Sequence, residues 1–407
     1  MSALYEEFKE RGLIKQSTVE DGRLKNILNG HPVKVYAGFD PTRSSLHVGH
    51  LIPIMILSHM QKAGHHPICV LGGGTAMIGD PSGRDSMREM LTEKTILDNI
   101  EGIKGQLSNF IDLDKDSALL LNNYDWLGSE NYIDFIRKIG PHFTVNRMLT
   151  ADCFKIRMEK GLSFLEFNYM ILQAYDFYSL YKKYGCTLQI GGDDQWSNII
   201  AGIELVRRIE GKEVAGMTNP LLTRSDGKKM GKTEGGSIWL DPDLTSPFEY
   251  YQFWRNTGDD DVIRFLKIYT FLSTEQIRKY AGFKGEDLNK VKEILAFEAT
   301  KILHGEKQAS EAKNTAAKLF KEGSLHAAPS IKMDSVMIIG MPFVDICVSA
   351  GIFSTKSEAR RMIVQGGLKL NGEKVADIKK EIAAQDLKEG VIIINKGKKH
   401  FYKIEIK

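Results

Sequence analysis

The chain has 407 residues, of which 42% are hydrophobic and 26% are charged, and its net charge is +3. This composition predicts an ordinary soluble globular protein with a large core and two or three domains. The sequence has no run of about 18 apolar residues, and its amino terminus is charged from Glu6 onward, so we expect neither a membrane span nor an export signal. The four scattered cysteines favour the reduced cytoplasm and argue against a zinc ribbon or a disulfide scaffold.

The basic residues are concentrated at the carboxyl end of the chain. Residues 341–407 contain 13 Lys and Arg against 8 Asp and Glu. This asymmetry favours a polyanion as the partner of the tail, although a solvated basic surface would explain the charge equally well.

The first half of the chain alternates short apolar runs with longer segments of helical period. In chain order we predict a strand over 33–39 (VKVYAGF), a helix over 51–63, a strand over 67–74 (PICVLGGG), a helix over 92–111 and a strand over 118–122 (ALLLN). This β-α-β-α order predicts an α/β fold in which helices wrap a parallel sheet.

Polar and glycine-rich clusters follow the predicted strands, at residues 38–42 (GFDPT), 72–75 (GGGT) and 191–195 (GGDDQ). In a parallel sheet the ligand lies beyond the carboxyl ends of the strands, where loops and helix amino termini meet. We therefore expect these clusters to line one binding site.

The sequence changes character after about residue 245. Residues 246–323 carry charged and apolar side chains at helical spacing and predict an all-helical domain. The pattern weakens over 324–340, as expected of a linker, and residues 341–407 combine two helix-like stretches with short β-rich runs, which predicts a small α+β domain. We assign residues 1–222 to the α/β domain and 223–245 to a mobile loop and connector.

The segment YAGFDPTRSSLHVGH, residues 36–50, contains two histidines three positions apart, His47 and His50. A metal site would need further ligands, and no nearby Cys, His or Glu offers a convincing set. An ordinary pair of surface or core histidines is the second interpretation. The third is a nucleotide pocket, because the histidines stand at a helix start, where N–H groups favour phosphate, and Gly49 allows a nucleoside close to the backbone. Only the third interpretation explains the whole segment.

Two motifs in this order identify a family. HVGH (47–50) resembles the HIGH signature of class I aminoacyl-tRNA synthetases, and KMGKT (229–233) resembles their second signature, KMSKS. The wider segments YAGFDPT, IGDPSGR, FNYMILQAYDF and GGDDQWSN resemble tyrosyl-tRNA synthetases of the bacterial kind, and the resemblance covers nearly the whole chain. It implies a Rossmann-like catalytic domain, a helical anticodon-binding domain and a ribosomal-protein-type RNA-binding domain.

The resemblance implies a two-step reaction. Tyrosine and ATP would form tyrosyl-adenylate with release of pyrophosphate, and the tyrosyl group would then pass to the terminal adenosine of tRNA. The attacking carboxylate is already ionised, so the first step needs alignment and positive charge rather than a general base. ATP would arrive with Mg²⁺, and we expect no metal held by the protein itself.

The resemblance also implies roles for individual residues. Those expected to carry the reaction, at the phosphates or the nucleoside, are Thr42, His47, His50, Arg84, Arg88, Lys229, Lys232 and Thr233. Those expected to hold the rest of ATP are Gly38, Asp40, Gly49, Gly192 and Asp194, with Asp194 on the ribose. Those expected to bind tyrosine are Tyr36 and Asp176 at the phenol, Asp80, Tyr169 and Gln173 at the ammonium group, and Gln195 near the carboxyl.

Part of the tyrosine pocket follows from spacing alone. Tyr169, Gln173 and Asp176 are four and then three residues apart, which puts them on one face of a predicted helix whose other residues are mostly apolar. This polar stripe predicts a pocket lining, although the wetted edge of an amphipathic helix has the same pattern.

Some positions remain open. The glycine-flanked segment around Lys229 and Lys232 predicts a mobile loop that closes over pyrophosphate, although a solvated basic turn would look similar. Asp193 and Ser197 depart from the serine and glycine common in the family. The residues themselves suggest no role for Asp193 or Asp40.

The tail resembles a small RNA-binding fold known from a ribosomal protein. The likeness covers 345–375 and makes Lys356, Arg360, Arg361 and Lys369 the expected phosphate contacts with tRNA. The resemblance further implies a homodimer.

Three rival functions fit these motifs less well than that of a tyrosyl-tRNA synthetase. A tryptophanyl enzyme would not need Tyr36 and Asp176, because indole has no phenolic hydroxyl. A small nucleotidyltransferase would need neither KMGKT nor the tail. An RNA-binding protein on a decayed synthetase scaffold would not be expected to keep His47, His50 and both motif lysines.

Overall fold

The structure is a computed structural model, and it describes residues 3–82, 86–88, 90–113, 117–221, 223, 225, 232–233, 236–321, 330–333, 338–387, 390–397 and 400–406. Three regions follow one another along the chain: an α/β region, a helical region and a small α+β region. Among the residues described, no helix is long and apolar enough to cross a membrane.

The helices are α1 (Leu4–Arg11), α2 (Asp21–Asn29), α3 (Leu51–Lys62), α4 (Glu93–Leu107), α5 (Tyr124–Leu127), α6 (Tyr132–Ile139), α7 (Val145–Leu149), α8 (Asp152–Lys160), α9 (Phe164–Tyr184), α10 (Trp196–Glu210), α11 (Pro247–Arg255), α12 (Val262–Tyr269), α13 (Thr274–Arg278), α14 (Gly285–Lys321), α15 (Phe343–Ser349) and α16 (Lys356–Val364). The strands are β1 (Gln16–Ser17), β2 (Lys34–Phe39), β3 (His66–Leu71), β4 (Leu119–Asn122), β5 (Cys186–Gly192), β6 (Ala215–Asn219), β7 (Lys232–Thr233), β8 (Gly236–Ser237), β9 (Ser330–Met333), β10 (Leu368–Leu370), β11 (Glu373–Lys374), β12 (Val391–Lys396) and β13 (His400–Ile406). Short 3-10 turns cover Val48–His50, Asp193–Gln195 and Asp259–Asp261, among others.

The larger sheet has the strand order β1-β6-β5-β2-β3-β4. Strands β2 to β6 run parallel, and β1 lies antiparallel beside β6 at one edge. The strands predicted over 33–39, 67–74 and 118–122 are β2, β3 and β4, and the predicted parallel α/β sheet is confirmed. The strand order reverses between β2 and β5, and a crevice opens at such a reversal beyond the carboxyl ends of the strands.

Helix α3 joins the sheet to the helical region. It is apolar on nearly all sides, as expected of a helix with little contact with water, and it packs on β2 and β3 as well as on α12. Pro53 is tolerated in its first turn, where N–H groups have no partner within the helix. The sheet and the helical region consequently share one apolar core, which extends from Leu4 to Ala316.

The helical region follows the prediction for residues 246–323. In the described part of this range, up to residue 321, helices α11 to α14 form without a strand, and α11 packs along α14. Ser246 begins α11 with its hydroxyl bound to the N–H of Glu249, whose carboxylate bonds back to the N–H of Ser246. Gly305, with φ of 84°, interrupts α14 because a left-handed residue cannot continue the helix.

Arg11 is a buried connection between α1 and the helical region, with 2% of its surface exposed. Its guanidinium donates to the backbone carbonyls of Lys267 (2.7 Å), Thr270 (3.1 Å) and Leu272 (2.7 Å). Its Nε pairs with Glu7 at 2.8 Å. These bonds satisfy carbonyls at the end of α12 that have no helical partner.

The carboxyl-terminal region has its own sheet, in the order β11-β10-β12-β13-β9, and its own apolar core. Strands β10, β12 and β13 are antiparallel neighbours, whereas β9 lies parallel to β13. Residues 330–333 were assigned to the linker over 324–340, and this part of the assignment is wrong. Their four-residue pattern is too short to stand out in the sequence, and their pairing with Lys403–Ile406 makes them a strand.

Candidate functional site

Each of the two histidines of HVGH accepts a hydrogen bond from a backbone N–H of the turn that precedes α3. Nδ1 of His47 accepts from the N–H of Gly49 at 3.0 Å, and Nδ1 of His50 accepts from the N–H of His47 at 3.1 Å. A nitrogen that accepts carries no proton, so the proton of each neutral ring lies on Nε2. Burial and the neighbouring His47 lower the pKa of His50 to about 3, which keeps that ring uncharged. Each ring therefore offers a hydrogen-bond donor at Nε2.

A backbone bridge connects the histidine turn to the segment that follows KMGKT. The N–H of Val48 donates to the carbonyl of Ile238 at 3.0 Å, and the N–H of Leu240 donates to the carbonyl of Leu46 at 2.9 Å. The ring of Trp239 lies 6.0 Å from that of His47. The histidine turn is thus held against the segment that begins five residues after the second motif.

The structure describes only part of the second motif. Lys232 and Thr233 form β7, which pairs antiparallel with β8, but their side chains lie outside the described part of the chain. Lys229 and Arg84 also lie outside it. The roles predicted for these four residues therefore stay predictions.

A buried carboxyl lies at the deep end of the crevice. Asp176 on α9 is 4% exposed, and its two oxygens accept from Trp126 Nε1 at 2.8 Å and from Asn123 Nδ2 at 2.9 Å. Burial raises the pKa of Asp176 to about 7, although the two donors oppose that shift. The group is therefore poised between its two protonation states near neutral pH.

Tyr36 on β2 belongs to the same end of the site. Its hydroxyl is buried and has no hydrogen-bond partner among the described residues. Burial and the charge of Asp176 raise its pKa well above the ordinary value, so the hydroxyl keeps its proton. A buried hydroxyl without a partner is costly, which is the expected condition of a group that a ligand completes.

Asp40, for which the sequence suggested no role, connects three elements. Its carboxylate accepts from the hydroxyl of Tyr169 at 2.9 Å and from that of Thr75 at 2.8 Å. Because the hydroxyl of Tyr169 donates its hydrogen bond to Asp40, the lone pairs of the Tyr169 oxygen remain available to other donors. Asp40 thereby orients Tyr169 as a hydrogen-bond acceptor.

Asp80 and Gln195 meet across the crevice. Gln195 Nε2 donates to Asp80 Oδ2 at 2.8 Å, and its Oε1 accepts from Asn198 at 3.1 Å. The N–H of Ser82 donates to the other oxygen of Asp80 at 2.9 Å. Nε of Arg88 donates to the carbonyl of Asp80 at 3.3 Å. Burial raises the pKa of Asp40 and the charge of Arg88 opposes that shift, whereas burial lowers the pKa of His50 and the charge of Arg88 adds to the shift. The connection between β3 and α4 and the turn after β5 thus converge on Asp80.

Asp193 and Asp194 face different partners. The carboxylate of Asp193 accepts from Gln16 at 2.7 Å and from the hydroxyl of Thr218 at 2.9 Å, which ties β1 and β6 to the turn after β5. Burial raises the pKa of Asp194 to about 6, and the charge of Asp80 adds to the shift. A Cβ at Gly192 would lie 2.5 Å from a carboxylate oxygen of Asp194, so this glycine permits the close approach.

For most of the remaining predicted residues, the structure shows only how exposed each one is. Gly38 and Gly49 are exposed, and Thr42 and Gln173 are half-buried. In the carboxyl-terminal region, Lys356, Arg360, Arg361 and Lys369 are exposed, and Lys356 pairs with Asp345 at 2.9 Å. In the described part of the chain, no group of three or more His, Cys, Asp or Glu side chains could hold a metal ion.

Sequence reasoning missed the residues that support the buried carboxyl. Asn123 and Trp126 directly follow β4, and the rule that polar residues at the carboxyl ends of parallel strands line the site could have found Asn123. Gln189 on β5 lies in register beside Tyr36 and has a buried carbonyl oxygen without a partner among the described residues. It lay inside a strand and carried no local signal.

Two family models match the chain. Residues 28–321 match the model of class I tRNA synthetases for tryptophan and tyrosine, and residues 320–404 match the carboxyl-terminal domain of SYY-like tyrosine–tRNA ligases.

Relatives and solved structures agree with those models. The chain is 52% identical over 408 residues to a tyrosine–tRNA ligase of Clostridium kluyveri, which covers all of both chains. It is 51% identical over 405 residues to a tyrosine–tRNA ligase of Clostridium perfringens, which covers 99% of both. Among solved structures, a C-terminally truncated mitochondrial tyrosyl-tRNA synthetase of Aspergillus nidulans matches with a TM-score of 0.71 and 32% identity, over 79% of this chain and 95% of that one.

Proposed function

The chain belongs to the class I tRNA synthetases, within them to the tyrosine–tRNA ligases, and on that premise we propose how its residues bind and join the substrates. As a member of this family it activates tyrosine with ATP, releases pyrophosphate and transfers the tyrosyl group to the terminal adenosine of tRNA. The proposal concerns the role of each residue, the subunit arrangement and the place of Mg²⁺.

Tyr36 and Asp176 read the phenol of tyrosine, and their burial carries this proposal. The phenol donates its proton to the Asp176 carboxylate and accepts from the unpaired hydroxyl of Tyr36. Phenylalanine and tryptophan would leave the Tyr36 hydroxyl buried without a partner and would give Asp176 no phenol donor, and that penalty selects against them.

The ammonium group of tyrosine fits the acidic side of the crevice. Asp80 supplies charge, and Tyr169 presents the lone pairs that its bond to Asp40 leaves available. Gln173, one turn further along α9, is the third contact. Gln195, held by Asp80 and Asn198, has a second amide proton for the substrate carboxyl.

Activation then depends on alignment and on charge at the phosphates. His47 donates from Nε2 to the triphosphate, and His50 lies against the nucleoside with Gly49. Thr42, Arg88 and Arg84, together with Lys229, Lys232 and Thr233, complete the phosphate contacts. Each stabilises the charge that develops on pyrophosphate, and none removes a proton, because the attacking carboxylate is already ionised.

Asp194 holds the ribose hydroxyls of ATP, with Gly38, Asp40 and Gly192 lining the nucleoside side. The support is the location of Asp194 near Asp80, just after β5 and next to a glycine that leaves room for the Asp194 carboxylate. Mg²⁺ accompanies ATP as part of that substrate.

The carboxyl-terminal region binds tRNA through exposed cations. Lys356, Arg360 and Arg361 lie on α16, and Lys369 lies on β10. Their exposure and the basic excess of residues 341–407 suit contacts with phosphates, so tRNA binding should weaken as salt rises. The helical region would contribute to anticodon recognition, and the protein would act in the cytoplasm.

The homodimer is supported by exposed apolar side chains between residues 132 and 164. Eight large hydrophobic residues in that stretch are exposed: Tyr132, Ile133, Ile136, Val145, Leu149, Ile156, Met158 and Phe164. Phe164, at the start of α9, is 70% exposed. Such a concentration is typical of a surface that a partner covers.

Phe164→Glu would place a charge in that surface, so we predict that it shifts the protein to monomers. Sedimentation velocity on the variant and the unchanged protein measures this. The matched control is Ile378→Glu, at an exposed apolar residue of the carboxyl-terminal region. If Phe164→Glu sediments as the unchanged protein does, this surface is not the interface.

Exchange of pyrophosphate into ATP, measured with each amino acid in turn, tests the residue roles. We expect exchange with tyrosine alone, and we expect Tyr36→Phe to weaken it because the variant loses the donor to the phenol. Exchange that responds equally to phenylalanine in the unchanged protein would contradict the proposed phenol site.

A further inference from the structure

The segment between Thr223 and Ser237, which carries the second motif, is attached to the rest of the protein at both ends. Its trailing end continues into Ile238–Leu240, which pairs with the histidine turn. Its leading end, at Thr223 and Ser225, contacts the helical region instead.

The contact at the leading end is made by one buried carboxylate and one arginine. Asp261, which is 2% exposed, accepts at Oδ2 from both the N–H and the hydroxyl of Ser225, each at 3.0 Å. Its Oδ1 accepts from Arg264 at 2.5 Å, and the same Arg264 nitrogen donates to the carbonyl of Thr223 at 2.6 Å. Three charge-assisted hydrogen bonds thus join Asp261 and Arg264 to the segment, and the bond between these two residues holds them together.

Asp261 has no other task that would explain this burial. It begins α12 without a side-chain bond to the helix amino terminus, so it does not act as a cap. Its neighbour Asp259 in the same 3-10 turn pairs with Lys292 of α14 and makes no bond to the described residues of the segment. Asp261 therefore makes a contact with the segment, whereas Asp259 makes a contact within the helical region. Substituting each in turn distinguishes the two contacts.

We propose that Asp261, braced by Arg264, is a positioning residue for adenylate formation. It fixes where the segment leaves the helical region, and with it the starting position of the lysines that the proposed function assigns to pyrophosphate. The inference rests on that assignment. It also makes the helical region, which would bind tRNA, part of the framework that sets the rate of the first step.

The test compares Asp261→Asn, Ser225→Ala and their double variant with the control Asp259→Asn, in the full-length protein. For Asp261→Asn, we expect the rate of tyrosyl-adenylate formation in a single turnover to fall about tenfold, as charge-assisted bonds are weakened. The KM for tyrosine should not change, because no contact of that pocket is altered. Ser225→Ala should slow the step less, and the double variant should be no slower than Asp261→Asn alone, since both remove one interaction.

Asp259→Asn should leave the rate unchanged although it removes an ion pair from the same turn. An Asp261→Asn rate equal to that of Asp259→Asn, or effects of the two single variants that simply multiply in the double variant, would overturn the proposal. If Asp261→Asn does not fold, Ser225→Ala decides alone, and an unchanged rate in it counts against the proposal.

Lys232→Ala separates this inference from the function on which it rests. Loss of adenylate formation in Lys232→Ala, with normal rates in Asp261→Asn and Ser225→Ala, means that only the inference fails. Full activity in Lys232→Ala means that the assignment of the lysines fails.

Discussion

At the scale of the residue, the site is built from carboxyl groups whose surroundings differ. Asp176 and Asp194 have raised pKa values because they are buried, whereas Asp193 is bound by Gln16 and Thr218 and serves the scaffold. A carboxylate in the family position of a serine therefore need not enter the chemistry. Environment, more than residue type, determines which of these groups meets a substrate.

Acid should weaken the use of tyrosine. The ionised form of Asp176 accepts the phenol proton, and because its pKa is about 7, the ionised fraction falls as the pH drops through that value. We predict that kcat/KM for tyrosine decreases below about pH 7 with a limiting slope of one, measured by pyrophosphate exchange. A flat profile between pH 5.5 and 8, alongside a normal profile for ATP, would contradict the role of Asp176.

Trp126→Phe should enhance that acid sensitivity. The substitution keeps an aromatic ring but removes the Nε1–H that donates to Asp176, so the ionised form loses one of its two donors. We predict a loss of about tenfold in kcat/KM for tyrosine at pH 7, in line with a hydrogen bond to a charged group, and a shift of the acid limb to higher pH. Trp239→Phe is the matched control, since that ring lies beside His47 rather than Asp176.

At the scale of the element, helices and strands hold the site because their ends meet at the strand reversal. Helix α9 contributes Tyr169 and Asp176, the strand ends contribute Asp40 and Asp194, and the turn before α3 contributes the histidines. The helical region then packs on α3 from the opposite side and fastens α1 through Arg11.

Replacing Arg11 should loosen that packing. Arg11→Met keeps an unbranched side chain but leaves three carbonyls and Glu7 without their donor. We predict a loss of about 3 kcal/mol in the free energy of unfolding by urea. Arg23→Met, which removes an exposed pair with Glu213, should cost at most about 0.5 kcal/mol. Equal losses of unfolding free energy in the two variants would contradict the proposal that Arg11 stabilises the packing of α1 on the helical region.

Elements with a local signal were predictable, and contacts across the chain were not. Strands β2 to β4 and the polar stripe of α9 follow from apolar runs and helical spacing, which neighbouring residues encode. The bonds of Asp40 to Thr75 and Tyr169 join residues 35 and 129 positions apart, so no window of sequence contains them. The same holds for β9, whose partner strand is the last in the chain.

At the scale of the whole molecule, the apolar clusters of the described residues fall into two groups that share no residue. The first core consists of three clusters between Leu4 and Ala316 and surrounds the site, and the second begins at Ile338 and underlies the basic surface. Chemistry on the small substrates and attachment of tRNA can therefore be examined independently.

Truncation after Gly323 should separate the two activities. The fragment keeps the first core and every residue assigned to tyrosine or ATP, so we predict pyrophosphate exchange within about twofold of that of the full chain. Charging of tRNA should be lost, because the exposed cations of α16 and β10 are removed. The assay is aminoacylation at low and at physiological salt, and normal charging by the fragment would refute the role given to the tail.

The strand β9 also determines where the tRNA-binding region can be cut free. A fragment that starts at residue 341, after the predicted linker, would lack Ser330–Met333 and leave the outer edge of β13 unpaired. Unpaired edges recruit strands from other chains, so such a fragment would tend to self-associate through β13. A fragment that starts at residue 330 includes β9, which covers that edge. The boundary of this folding unit thus lies within residues 324–340, whose sequence resembles a linker.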